Sequence, residues 1–220
     1  ATGAGTRYRL HAFTVVHSRE QAKWCMQHLH STALETFPRS LSVFDPSEND
    51  KIRATLNNRY KHLVVGGHHK LYVFEVTKTA QLVLKSDFAL RPAKQSGSSQ
   101  EGVQIARIAV SGPRIFVGDS TNSVQCIKYH RALNSFTMFA ADRSSPRFVS
   151  ALTALDSAAV CVGDRFGNIF TLSVADDVDD DISMDAARND DGFGHIDLLP
   201  TADAANVAAA AARDETEVGK

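Results

Sequence analysis

Cysteine is scarce, charge of one sign is not in excess and no long apolar run exists, and each shortage removes a class of protein. The three cysteines, Cys25, Cys126 and Cys161, stand far apart, are odd in number and never form a Cys-x-x-Cys pair. That argues against a disulfide framework and fits a reducing compartment. Formal net charge is -1 over 220 residues, so no global basic field draws the chain to nucleic acid. No apolar stretch approaches the roughly 20 residues of a membrane-spanning helix, so no membrane association is expected. Nucleophile and phosphate-loop motifs are missing: there is no Gly-x-Ser-x-Gly and no P-loop. Neither catalytic residues nor a cofactor site is expected, and the chain reads as non-enzymatic.

What is present is a succession of short strands from about Arg7 to Val174, four to nine residues long and rich in Val, Ile, Phe and Tyr. None sustains the 3.6-residue period of a helix. Three of them end in a shared signature, LVVGG, IFVGD and VCVGD, and each is followed by a turn and an alternating strand. The anchoring glycines Gly66, Gly118 and Gly163 are spaced 52 and 45 residues apart. A period of about 40 to 50 residues with four strands per unit is the mark of a β-propeller blade. The expected reason for the glycines is a tight hairpin that needs positive φ after the second strand. DRFGN (Asp164–Asn168) is the strongest turn, because Gly167-Asn168 suits a primed hairpin.

The fold class expected is therefore all-β, a partial propeller of about three WD40-like four-stranded blades over residues 1–174, open at both ends. Propellers close with about four to eight blades. Further blades, from more chain or from a partner, are expected to complete the ring. Two polar stretches depart from the pattern. Residues 91–102 read as a flexible loop. From Ala175 the chain becomes dense in Asp, so residues 175–200 read as a disordered acidic insertion. The Ala-rich residues 201–220 read as a helical tail.

Nine histidines invite a metal reading. His28 and His30 lie two apart on a strand and share a face, but no Cys or carboxylate stands at ligand spacing beside them. His68-His69 falls in a turn where side chains diverge. Surface histidines are the plainer reading, and no metal site is expected. The Asp-rich run lacks the ligand alternation, central Gly and terminal Glu of a calcium loop. KYHR (Lys128–Arg131) is a small basic cluster around Tyr129 that could stack on a base; a solvated strand end is the simpler alternative.

One block is more specific than a generic blade. Val117–Val174 carries Asp119, Ser123, Tyr129, Asn134, Asp142, Pro146-Arg147-Phe148-Val149, Leu155-Asp156 and Gly163-Asp164-Arg165-Phe166-Gly167-Asn168-Ile169. In this progression it resembles the C-terminal propeller of the large multi-propeller subunit of splicing factor 3b. Phe148 stands where that family usually has Trp. Two related families share the architecture: the damaged-DNA-binding adaptor of cullin ubiquitin ligases and the large subunit of the cleavage and polyadenylation factor. PRFV followed by DRFGNIF favours the splicing member.

The resemblance implies a nuclear, non-catalytic scaffold of the complex that recognises the intron branch point. It implies binding to a HEAT-repeat subunit and small partner subunits, with little direct RNA contact. Gly66, Gly118, Asp119, Asp142, Pro146, Arg147, Gly163, Asp164, Phe166, Gly167 and Asn168 are expected to be fold determinants, with Asp142 and Arg147 pairing between blades. Partner contacts are expected on the turns around Gly66–Lys70, Asp119–Asn122 and Asp164–Asn168.

Overall fold

A computed structural model describes residues 8–18, 23–46, 62–90, 103–120, 123–142, 146–175 and 194–198. The described residues are all-β, and their strands follow the alternation in the sequence. β1 (Tyr8–Ser18) and β2 (Lys23–Leu34) form a two-stranded ribbon. β3 (Ser40–Phe44), β4 (His62–Gly66), β5 (Lys70–Val76) and β6 (Leu82–Ala89) form the first blade. The second blade holds β7 (Ile105–Ser111), β8 (Arg114–Asp119), β9 (Val124–His130) and β10 (Ser135–Ala141). The third begins with β11 (Val149–Ala154), β12 (Ala159–Asp164) and β13 (Ile169–Val174). Within each blade, neighbours pair antiparallel in chain order.

The acidic stretch requires a correction. Residues 194–198 form β14 (Gly194–Leu198), inside the segment expected to be disordered. β14 runs antiparallel to β13, with Leu172 opposite Leu198 and Val174 opposite Ile196. It thereby supplies the third blade's fourth strand. Its other edge pairs in parallel with β10 at Ala140–Gly194 and Ala141–His195, joining the second and third blades into one eight-stranded sheet. The reason is local: His-Ile-Asp-Leu alternates polar and apolar residues, and the unpaired edge of β13 offers backbone donors and acceptors that need partners. The loop at 91–102, the Asp-rich run at 176–193 and the Ala-rich tail at 201–220 lie outside the described residues.

Three cores lie between the ribbon and the successive blades. Leu10 and Leu34 of the ribbon pack on Val65, Tyr72, Phe74 and Leu82 of the first blade. Val64, Leu71 and Val73 meet Ile105, Ile108, Ile115 and Ile127 of the second. Phe116, Cys126 and Phe139 meet Val149, Val160, Val162 and Leu172 of the third. Each fully buried aliphatic or aromatic side chain contributes about 1.5–3 kcal/mol of transfer free energy, so these seams hold the arc together.

The anchoring glycines serve a different purpose from the one expected. The glycines with positive φ among the described residues are Gly112 (57°) and Gly167 (89°). Gly66 and Gly118 are instead points of close approach. A Cβ on Gly66 would fall 2.6 Å from Ile108 Cδ1 and 2.8 Å from Ile105 Cγ2, and one on Gly118 would fall 2.5 Å from Val149 Cγ1. In both cases the intruding side chain belongs to the innermost strand of the next blade.

Candidate interaction surfaces at the blade junctions

The junction between the second and third blades is built around a buried carboxylate. Asp142 follows β10, and Arg147 precedes β11. Arg147 Nε donates to Asp142 Oδ2 at 2.7 Å, with the Asp142 side chain fully buried and that of Arg147 14% exposed. Ser123 Oγ donates to the same oxygen at 2.5 Å, and the Asp142 amide donates to the Val124 carbonyl at 2.9 Å. The guanidinium also lies 4.5 Å from the centre of the Phe170 ring, a cation–π contact with the third blade. A buried charge needs such a set of partners, because an unpaired one would be expelled or neutralised. Through Oδ2 the carboxylate ties the start of β9 to the start of the third blade. Pro146 is exposed and places Arg147 at the start of the third blade.

The turn between β12 and β13 is held by Asp164. Its Oδ1 accepts from the amides of Phe166 (2.8 Å) and Asn168 (2.9 Å), and its Oδ2 accepts from Asn168 Nδ2 (2.8 Å). These bonds, first among them that from the Asn168 side chain, hold the Asp164 carboxyl below its ordinary range. The turn is wider than the two-residue hairpin expected: the Asp164 amide bonds the Asn168 carbonyl at 3.0 Å, and Gly167 alone takes positive φ. Four residues therefore separate the strand ends.

Phe148 and Arg165 join this turn. Phe148 has φ 44°, rare for a bulky residue. Its carbonyl accepts from the Arg165 amide at 3.2 Å. The Arg165 guanidinium lies 4.2 Å from the Phe148 ring centre and 5.1 Å from that of Phe166. The two rings meet edge to face at 5.6 Å, and Phe166 is 65% exposed. The result is a projecting knob of two aromatic rings around one cation.

The other two turns expected to meet partners occupy the equivalent place after the second strand of their blades. His68 and His69 are exposed between β4 and β5, and Lys70 bridges Glu35 (3.0 Å) and Asp87 (3.3 Å). Asp119 is buried, its Oδ1 accepting from the Gln104 amide at 3.2 Å. Thr121 and Asn122 lie outside the described residues.

Several sequence-level candidates are placed elsewhere. A bulge opposite Ala12 and Phe13 splits the histidine pair. His28 Nε2 lies 3.3 Å from His11 Nδ1, while His30 contacts Thr32 Oγ1 at 3.0 Å. Among the described residues no group of three His, Cys, Asp or Glu side chains is gathered to hold a metal. Tyr129 is not available to a base: it is buried between the first two blades, with its hydroxyl donating to Asn134 Oδ1 at 2.9 Å. His62, which no sequence pattern singles out, lies in the same seam against Phe44 and Tyr129, and its Nδ1 is buried without a partner.

The described residues form a run of propeller-type blades with apolar seams, a charge-paired junction and exposed turns. The family model described as the CPSF A subunit region matches residues 8–199, and the chain belongs to that family. Curated proteins similar to this chain include splicing factors. It is 43% identical over 146 residues to splicing factor 3B subunit 3 of Drosophila melanogaster, covering 64% of this chain and 11% of that protein. It is 38% identical over 81 residues to probable splicing factor 3B subunit 3 of Dictyostelium discoideum, covering 35% and 6%. With pre-mRNA-splicing factor RSE1 of Debaryomyces hansenii it shares 42% over 67 residues, covering 30% and 5%. These matches place the chain with the splicing factor 3B subunit 3 group, and it spans about a tenth or less of their length.

Proposed function

We propose that this chain is a non-catalytic scaffold segment of a nuclear splicing factor 3b assembly, acting through its propeller surfaces in branch-point recognition. The observation that carries the reading is the block from Asp142 to Asn168. It resembles the splicing member of the family, and its residues build the seam and the projecting turn of the third blade. Partners of the kind the resemblance implies are a HEAT-repeat subunit and small subunits of the same complex. They would be engaged by the exposed turns His68–Lys70 and Asp164–Asn168, with little direct RNA contact. Arg and aromatic side chains are the residue types that most often dominate protein interfaces, and Phe148, Arg165 and Phe166 present them together.

Affinity purification of the tagged protein from nuclear extract, read by mass spectrometry, tests the assignment. Branch-point splicing factors are the expected co-purifying proteins. Recovery of cullin-ligase or cleavage and polyadenylation subunits, with no splicing factors, would move the chain to one of the related scaffolds.

A further inference from the structure

Each blade presents a turn after its second strand, and the three turns differ in how their charges are engaged. In the first blade Lys70 closes the turn, and its ammonium is held by Glu35 (3.0 Å) and Asp87 (3.3 Å). In the second, Asp119 is buried and accepts from the Gln104 amide. In the third, Asp164 is engaged through both oxygens, by the Phe166 and Asn168 amides and by the Asn168 side chain. Arg165 is the exception. It is exposed, and among the described residues its guanidinium meets two aromatic rings while no carboxylate or carbonyl accepts from it.

The rings fix the place of that cation. Their centres lie 4.2 Å (Phe148) and 5.1 Å (Phe166) from the guanidinium carbon, and the two rings stand at 85° to each other. Phe148 reaches its position through φ 44°, between two neighbours that are both held. Arg147 turns inward to Asp142, and Val149 fills the notch that Gly118 leaves. A backbone of this kind persists where its surroundings over-determine it, and here it sets a ring against an exposed cation.

An arginine already packed against rings gives up less side-chain freedom when a partner arrives. Its planar fork matches a carboxylate through two N–H groups. Nucleic acid needs several cations along its backbone, and this turn offers one: Arg147 is committed to Asp142, and Asp164 adds a negative charge at the foot of the turn.

We infer that Arg165, flanked by Phe148 and Phe166, anchors a protein-docking site whose partner presents a Glu or Asp beside an apolar side chain. The carboxylate takes the N–H donors of Arg165, and the apolar group covers the exposed Phe166 ring. The inference rests on the scaffold reading above and adds to it the chemistry of the partner segment.

The test puts an amine where the guanidinium stands. Arg165→Lys is introduced into the protein as cells produce it, and the isolated assembly is treated with a water-soluble carbodiimide, which joins amines to carboxylates in direct contact. Mass spectrometry of the linked peptides should show position 165 joined to a Glu or Asp of another protein, with an apolar residue beside it. Linkage to the Asp-rich run at 176–193 of this chain, ultraviolet crosslinking of Phe166 to RNA, or no product at position 165 would overturn the inference. A second variant separates docking from folding. Arg165→Glu is expected to lower recovery of the linked partner roughly tenfold or more, because like charges then face each other. Exchanging the partner's carboxylate for arginine should restore it, and a loss that this exchange does not restore would overturn the inference. A product joined to a protein of another assembly would keep the docking site and refute the splicing reading. Branch-point factors recovered with the wild type, but no product at position 165, would do the reverse.

Discussion

Arg147 donates to the buried Oδ2 of Asp142 at 2.7 Å, across the junction where the second blade ends and the third begins. Ser123 is the second donor to that oxygen, and Phe170 lies under the guanidinium. Removing the arginine would strand a carboxylate from which water is excluded. Arg147→Ala is therefore expected to cost about 3 kcal/mol, the lower end of the range for breaking a buried pair, because Ser123 still donates. Urea unfolding of wild type and variant measures it. Arg147→Lys keeps the charge but loses the planar Nε–H donor and the stacking on Phe170, so it should restore only part of the loss.

The glycine notches make a contrasting prediction. Gly118→Ala places a methyl group 2.5 Å from Val149 Cγ1, and Gly66→Ala places one against both Ile108 and Ile105. Each should destabilise the chain by about 1–3 kcal/mol, the range for overpacking a filled core. A Gly118→Ala, Val149→Ala double variant should recover part of the loss, and thermal melts of the four-member cycle would show the coupling.

Gly167 should respond for a different reason. Nothing lies within 4 Å of a Cβ there, yet φ is +89°. Gly167→Ala therefore suffers backbone strain without a clash, and a loss of about 1 kcal/mol is expected. Calorimetry of the variant beside Gly167→Asn would check this, because asparagine tolerates positive φ better than alanine and should lose less.

His62 gives a pH dependence. Burial is the largest cause lowering its pKa below 6.5, and Arg131 and Lys85 act in the same direction against Glu75 and Asp45. The folded chain therefore holds the ring neutral where the unfolded chain would protonate it. The stability this contributes is complete above about pH 6.5 and is lost as pH falls from there toward the depressed folded value. Where the ring is protonated only in the unfolded chain, the loss approaches about 1.4 kcal/mol per pH unit. Urea midpoints at pH 7.5 and 5.5 should differ, and His62→Phe, packed on Phe44 and Tyr129, should narrow the difference.

The blades were legible because short apolar strands with glycine endings recur at a blade-length period, the middle strands being buried on both faces between two seams. The Asp142–Arg147 pair was legible only through the family resemblance, whose motif positions include both residues. β14 was hidden because five residues of pattern follow a dense run of Asp, where composition outweighs period. The notches were misread because a sequence shows that a glycine is needed, not whether φ or a neighbour requires it. His62 gave no signal and Tyr129 was read as an exposed stacking candidate, since the burial of both depends on how the first two blades stack. The ribbon exposes Phe13, Val15, Trp24 and Met26, apolar residues that its alternation places on one face.

Depletion of the protein from its own cells, followed by sequencing of total RNA, tests the central claim most directly. A scaffold of splicing factor 3b type predicts widespread intron retention while transcript 3′ ends remain at their usual sites. Normally spliced transcripts that read through their cleavage sites would contradict it.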